Sequence, residues 1–353
     1  MADRLTLSID GMGGDHAPRI VIEGIDIQAR RRSGVRYLLH GDPAQLQPLL
    51  DAHPHAKAAC EIRPAESVIS MDVKPSQALR QGKGSSLWNA IQSVETKEAA
   101  AVVSAGSTGA LMAISMFRLR MMEGVHRPAL VARWPTLKGM AAVLDVGANV
   151  QADAEQLVEF AIMGEAFQRA LTGKERPSVG LLNVGSEDQK GHEEIRAAAK
   201  LLREGGLDIA FHGFVEGDDI PKGTADVVVT DGFTGNIALK TAEGMARTIS
   251  GYVKDAMMDG VLAKIGALFA YGALQRLKKK VDPGNSNGAM FLGLNGLVVK
   301  SHGSADGPSY AAALEVAALM ANSHYQEEIA RNLARLADAE KAMAAAPAAK
   351  DAS

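Results

Sequence analysis

Residues 5–18 read LTLSIDGMGGDHAP, and this stretch decides the fold. Leu5, Leu7 and Ile9 alternate with polar residues and predict a short strand closing at Asp10. A glycine cluster follows, and Pro18 suits the first turn of a helix. The same order of strand, glycine turn and helix recurs four times. The turns read SAGSTGA at 104–110, NVGSEDQKG at 183–191, TDGFTGN at 230–236 and SHGSADG at 301–307. Each unit aims backbone N–H groups and the positive end of a helix dipole at whatever lies above it. Five of them together point to a cleft that holds an anion, phosphate above all.

Outward from these turns, strand and helix patterns alternate along the whole chain. Strands are expected at 37–40, 101–104, 141–146, 179–184, 209–214, 227–230 and 297–300. Helices are expected at 44–52, 85–98, 111–121, 193–204 and 235–252. Asp153 is expected to cap a helix reaching 171, and one long helix is expected from Pro308 to Leu336. The alternation predicts an α/β fold with largely parallel sheets. In such a sheet ligands bind beyond the carboxyl ends of the strands, where all five turns would stand. At 353 residues the chain is long enough for two domains.

Composition excludes several classes. The net charge is −3 and aromatics make up 4%, so neither a basic field nor stacking rings argue for nucleic acid. The single cysteine, Cys60, lies outside the turns and allows neither an intrachain disulfide nor a Cys-x-x-Cys zinc site. The start, MADRLTLSIDG, has no extended apolar run, so a secretory signal is not expected and the cytoplasm is the default compartment. One segment breaks the alternation: 257–280 reads MMDGVLAKIGALFAYGALQRLKKK. Val261, Leu262, Ile265, Leu268 and Phe269 fall on one helical face, ahead of Arg276, Lys278, Lys279 and Lys280. That pattern suits a core or dimer-interface helix with a solvated basic end, or a surface helix that touches lipid.

Side chains in the turns supply what backbone cannot. Lys190 sits in a glycine-rich turn before a helix, where an ammonium can neutralise phosphate or a developing oxyanion. Asn236 opens a helix, so its amide can donate to such an oxyanion or simply cap the helix. Asp10 and Asp15 flank the first glycine cluster, and Asp10 can order the loop. His16 fits a general base or a loop staple. Ser104, Ser107 and Thr108 offer hydroxyls to an anion or form the turn, and Ser304 and Asp306 share that ambiguity. Gly13, Gly14, Gly109, Ser186, Asp231, Thr234 and Gly235 complete the expected binding residues. No GxSxG, Walker GxxxxGK[ST] or HExxH motif is present, and GMGGDH departs from GxGxxG at His16.

Read together and in order, IDGMGGDHAP, SAGSTGALMA, RPAL at 127–130, DVGAN at 145–149, LLNVGSEDQKG, DGFTGN and GLNGLVVKSHGSADG strongly resemble the acyl-ACP:phosphate acyltransferases of bacterial phospholipid synthesis. The resemblance spans residues 5–321. It implies an isocitrate/isopropylmalate dehydrogenase-like fold, shared with phosphotransacetylases, and a homodimer. It implies one domain from 1–125 plus 285–336 and a second from 126–284; the residues themselves predict a protruding amphipathic segment near 250–280 and, from an alanine-rich stretch with no apolar stripe, a disordered tail at 337–353. It implies transfer of an acyl group from acyl carrier protein to inorganic phosphate, with Lys190 and Asn236 as the catalytic pair. No cofactor or metal is implied.

Two competing readings stay open at this point. A phosphotransacetylase would use the same nucleophile on acyl-CoA, and a membrane scaffold would use only the apolar segment. The dehydrogenases of the fold need an aspartate cluster, for which Asp226 and Asp231 could be mistaken. The acyl phosphate product implies proximity to a membrane surface and a downstream membrane acyltransferase. An acidic carrier protein needs a basic patch, offered by Arg30, Arg31, Arg32 and Arg36 or by Arg276 to Lys280.

Overall fold

The computed structural model describes residues 5–281 and 283–345. The side chains of 277–281, 283, 285 and 338–345 lie outside the described set, and with them Lys278, Lys279 and Lys280 of the basic run. The chain runs β1 (Thr6–Asp10), α1 (Arg19–Arg31), β2 (Arg36–Gly41), α2 (Pro43–Asp51), α3 (Pro54–Ala59), β3 (Cys60–Pro64), α4 (Pro75–Gln81), α5 (Ser86–Glu95), β4 (Ala101–Ser104) and α6 (Thr108–Leu119). It continues through β5 (Ala129–Thr136), β6 (Gly139–Leu144), α7 (Ala154–Thr172), β7 (Ser178–Leu182), α8 (Glu193–Glu204), β8 (Ala210–Val215), α9 (Asp219–Lys222) and β9 (Val227–Val229). Last come α10 (Gly232–Met258), α11 (Gly260–Val281), a 3-10 turn (Pro283–Ser286), β10 (Ala289–Leu292), β11 (Leu297–Lys300), α12 (Gly307–Ala321) and α13 (Tyr325–Ala345).

The strands form one sheet in the order β3-β2-β1-β4-β11-β10-β5-β6-β9-β7-β8. Strands from 1–125 and 285–336 occupy one side, and those from 126–284 the other. Pairing is parallel within β3-β2-β1-β4-β11 and within β6-β9-β7-β8. The centre is antiparallel: β10 opposes both β11 and β5, and β5 opposes β6. The sheet is covered on both faces, so its strands bury alternate residues on opposite sides. In β11, Leu297 and Val299 pack with Tyr310 and Phe160, whereas Val298 packs with Trp88, Ile91 and Leu111.

Three strands, β3, β5 and β10, and one helix break fall outside the sequence pattern. β5 and β10 go unannounced: β5 carries Arg133 and Pro135 inside its apolar run, and β10 spans only AMFL. The expected helix from Pro308 to Leu336 is two helices. Asn322 Nδ2 donates to Ala318 O and Ser323 Oγ to Met320 O, both at 2.7 Å. These side chains satisfy terminal carbonyls and end α12. α13 then continues through the alanine-rich stretch to Ala345, and 346–353 lie outside the described residues.

α10 and α11 meet at Asp259 and Gly260 with a bend of 116°. Among the buried residues of α10 are only Gly232 and Gly235, both in its first turn. Val261, Leu262, Ile265, Leu268 and Phe269 are all exposed, Leu262 by 86% and Phe269 by 87%. The reading of this segment as a core helix is therefore wrong: the helix leaves the sheet before these residues begin. No single described helix is long and apolar enough to cross a membrane.

Candidate active site

The turns after β1, β4 and β11 are stitched to one another. Ser104 Oγ donates to Asp10 Oδ2 at 2.7 Å and accepts from Gly106 N–H at 3.0 Å. Ser301 N–H donates to Ser104 O at 2.8 Å, and Asp15 N–H to Gly303 O at 2.9 Å. Glycine is required at position 13, because a Cβ there would stand 2.3 Å from Asp10 Oδ2. Burial raises the pKa of Asp10, against the pull of its hydrogen-bond donors. Asn287, just before β10, joins the set: its Nδ2 donates to Ser301 Oγ at 2.8 Å and its Oδ1 accepts from His302 N–H at 2.9 Å. Asp306 accepts from Ser309 N–H at 2.9 Å and so caps α12.

The opposite wall is built on Asp145, fully buried after β6. Its carboxylate accepts from Leu130 N–H, Gly147 N–H, Ala148 N–H and Asn149 N–H at 2.7–3.0 Å, and from Asn149 Nδ2 at 2.9 Å. Asp231 caps α10, accepting from Thr234 N–H and Thr234 Oγ1, each at 2.8 Å. Gly235 lies so close to the Asp145 backbone that a Cβ would reach its carbonyl oxygen at 1.9 Å. The first turn of α10 is thus pressed onto the loop after β6. Asn236 comes to rest over Gly147, and its side chain makes no hydrogen bond among the described residues.

Between the walls opens a cleft of about 1630 Å³. Lys300, Ser301, Gly303, Ser304, Asp306 and Thr108 line one end, and Asn236, Gly147 and Asn149 face them. Leu130, Trp134, Val146, Phe233 and Leu239 give the remaining wall an apolar character. Cations enter from several elements. Lys240 and Arg247 reach Glu243 at 2.9 and 3.5 Å, Lys222 reaches Asp218 at 2.6 Å, and Arg133 donates to Asn287 O at 2.8 Å. Burial lowers the pKa of His302, with Lys240 acting in the same direction. Such a cleft offers polar and cationic groups to an anion and apolar side chains to a hydrocarbon. Among the described residues no group of three or more His, Cys, Asp or Glu side chains is placed to hold a metal ion.

The expected residues divide between lining and framework. Thr108 and Asn236 line the cleft, as do Asp15, Ser304 and Asp306. Asp10, Ser104, Asp231, Thr234 and Gly235 support the turns from beneath, as do Gly13 and Gly14. Ser107 is buried and makes no side-chain cap bond to α6. A Cβ at Gly109 would stand 2.9 Å from Pro75. His16 is exposed and its ring makes no hydrogen bond among the described residues, so it is no staple. Lys190 and Ser186 lie on an exposed loop after β7, outside the residues that line the cleft. Lys190 Nζ sits 2.8 Å from Glu187 Oε1, which raises its pKa. Because β7 pairs with β9, that loop neighbours the turn before Asn236.

Other candidates are engaged elsewhere. Asp226, at the other end of β9 from Asp231, accepts from Lys174 Nζ at 2.6 Å and from Ser178 N–H at 2.7 Å. Burial pushes the Cys60 thiol up to about 12, so it is no nucleophile. In the first basic patch Arg30 pairs with Asp26 at 2.6 Å and Arg36 with Glu61. Lys300 and Asp145 went unassigned in the sequence. A lysine closing the apolar strand LVVK directly before a glycine turn was the available signal for the first.

The sheet order and the two-walled cleft define an α/β enzyme of the phosphotransacetylase-like fold. A phosphotransacetylase from Streptococcus pyogenes superposes with a TM-score of 0.61 at 16% identity, covering 91% of this chain and 95% of its own. EutD phosphotransacetylase from Staphylococcus aureus gives 0.58 at 19%, covering 90% and 94%. At these identities the likeness is one of fold. The chain belongs to the fatty acid synthesis protein family, whose model matches residues 5–328. Among its relatives is a phosphate acyltransferase of Caulobacter vibrioides, 59% identical over 336 residues, 95% of this chain and 93% of the relative. A phosphate acyltransferase of Maricaulis maris is 56% identical over 344 residues, 97% and 98% of the two chains.

Proposed function

We propose that the chain transfers a fatty acyl group from acyl carrier protein to inorganic phosphate, releasing acyl phosphate for phospholipid synthesis. It is an acyltransferase by family, and the carrier-protein donor is the finer step of this reading. The observation that carries it is the cleft itself, lined both by polar and cationic side chains and by apolar ones. A phosphate oxygen attacks the thioester carbon, and the carbonyl electrons move onto oxygen. They return as the carbon–sulfur bond breaks, and the departing thiolate takes up, directly or through water, the proton that the attacking hydrogen phosphate gives up. Phosphate dianion is already a nucleophile, so the protein needs chiefly to orient it and strip its water.

Asn236 is the proposed donor to the oxyanion, from its place over Gly147. Lys190 is its proposed partner, exchanging Glu187 for the charge that develops on the carbonyl oxygen at the neighbouring turn. The remaining turn residues, from Asp10 to Gly235, are proposed to hold and shape the phosphate end. We further propose a homodimer that rests on a membrane surface through the exposed apolar residues of α11, near the enzyme that consumes its product.

Acyl phosphate trapped as hydroxamate tests the donor. Long-chain acyl-ACP with phosphate is expected to give product, and acetyl-CoA is not. Activity with acetyl-CoA alone would make the chain a phosphotransacetylase.

A further inference from the structure

Lys300 ends β11, between β4 and β10 in the middle of the sheet, and only 8% of it is exposed. Its Nζ donates to Ser301 O and, at 3.5 Å, to Ala105 O. Those carbonyls belong to two of the turns that line the cleft. No carboxylate among the described residues lies within ion-pairing distance of it, whereas Lys222, Lys240 and Arg247 in the same cleft each have one. A buried ammonium held only by carbonyl dipoles is costly, and the stable complement to it is an anion.

The surroundings of Lys300 are suited to that anion. Thr108, at the start of α6, lines the cleft with a hydroxyl that makes no hydrogen bond among the described residues. Gly303 N–H has no partner among them either, and its carbonyl is fixed by Asp15 N–H at 2.9 Å. Two turns, the one after β11 and the one after β4, therefore deliver an ammonium, an amide and a hydroxyl to the cleft.

We propose that Lys300 is a catalytic residue that grips the attacking phosphate, with Thr108 and Gly303 N–H as its co-ligands. This rests on the reading of the chain as an acyltransferase to phosphate. Lys300 supplies the charge, and Asn236 across the cleft faces the acyl carbonyl. Lys190 is left free of phosphate binding, which fits its exposed place beside Glu187.

Charge on Lys300 also ties binding to pH. Burial lowers its pKa to about 8. The charged groups that act on it are Asp15 in the turn after β1, Asp10 on β1 and Lys240 on α10, and Lys300 in turn helps lower the pKa of His302 on its own turn. The carboxylates oppose the shift and Lys240 adds to it. Lys300 is therefore an ammonium below about pH 8 and neutral above.

Two measurements test the proposal. In the first, inorganic phosphate is titrated against the melting temperature of the full chain, with no acyl donor present. Phosphate is expected to raise the Tm of the wild type and not that of Lys300→Met, because a ligand stabilises the state that binds it. In the second, kinetics with acyl-ACP are expected to show a KM for phosphate raised about 10- to 100-fold in Lys300→Met. The KM for the donor should stay constant and Lys300→Arg should restore part of the loss. In the wild type the KM for phosphate should rise as pH passes 8. An unchanged phosphate KM in Lys300→Met, a flat pH profile, or parallel changes in both KM values with a lowered Tm would overturn the assignment. Phosphate binding lost in Lys300→Met, in a wild type inactive with acyl-ACP, would sink the donor reading and leave this site standing.

Discussion

Ser104 Oγ lies 2.7 Å from Asp10 Oδ2, and this bond ties the turn after β4 to the turn after β1 beneath the cleft. Removing the hydroxyl leaves a buried carboxylate one donor short. Ser104→Ala is expected to lose about 1–3 kcal/mol of stability in urea denaturation. Its KM for phosphate should rise with kcat less affected, since the turns hold the anion rather than the carbonyl.

Asn236 has no hydrogen-bond duty among the described residues, which leaves its amide available to a transition state. Asn236→Ala is expected to lower kcat about 100-fold or more. Lys190→Ala is expected to do likewise, with its melting temperature unchanged because its ion pair is solvated. Steady-state kinetics with thermal melts check both. Normal turnover in the two variants would remove the pair from the chemistry.

The exposed row on α11 should govern membrane binding. Leu268→Glu combined with Phe269→Glu is expected to abolish flotation with anionic liposomes while leaving activity on soluble acyl-ACP intact. Unchanged flotation would assign the exposed row to protein contacts instead.

His40, buried on β2 and 3.2 Å from Ser93 Oγ, sets an acid limit on stability. Burial, with Arg63 acting in the same direction, lowers its pKa from 6.5 to about 4. The unfolded chain therefore binds a proton between pH 6.5 and 4 that the folded chain refuses. Stability is expected to fall across that window as pH drops, by roughly 3 kcal/mol in all. Above pH 6.5 this contribution is complete. Denaturation midpoints at half-unit pH steps should show the slope, and His40→Gln should flatten it.

Much of the frame is legible in residue order alone. Ala101–Ser104, Leu297–Lys300 and Glu193–Glu204 occupy the expected positions, because apolar period and terminating glycines agree there. β10 and β5 are not legible, since AMFL is too short to show a period and Pro135 interrupts the other run. Yet these two strands join the halves of the sheet. The site is legible as a set of turns, and the division of labour inside it is not. Whether Asp10 meets substrate or Ser104 depends on a contact across ninety-four positions. The role proposed for Lys300 turns on the lack of a counter-ion among the described residues, which LVVK before a glycine turn hints at but cannot show.

The place of β11 has a consequence for biosynthesis. It pairs with β4, whose strand is complete by Ser104, yet it comes from Leu297–Lys300. On the ribosome, β4 stays an open edge for nearly two hundred residues while the other half of the sheet is made. An unpaired edge of apolar Ala101, Val102 and Val103 is a template for pairing with another chain. The edge of β4 is thus expected to need cover against pairing with other chains until the last sixth of the protein emerges.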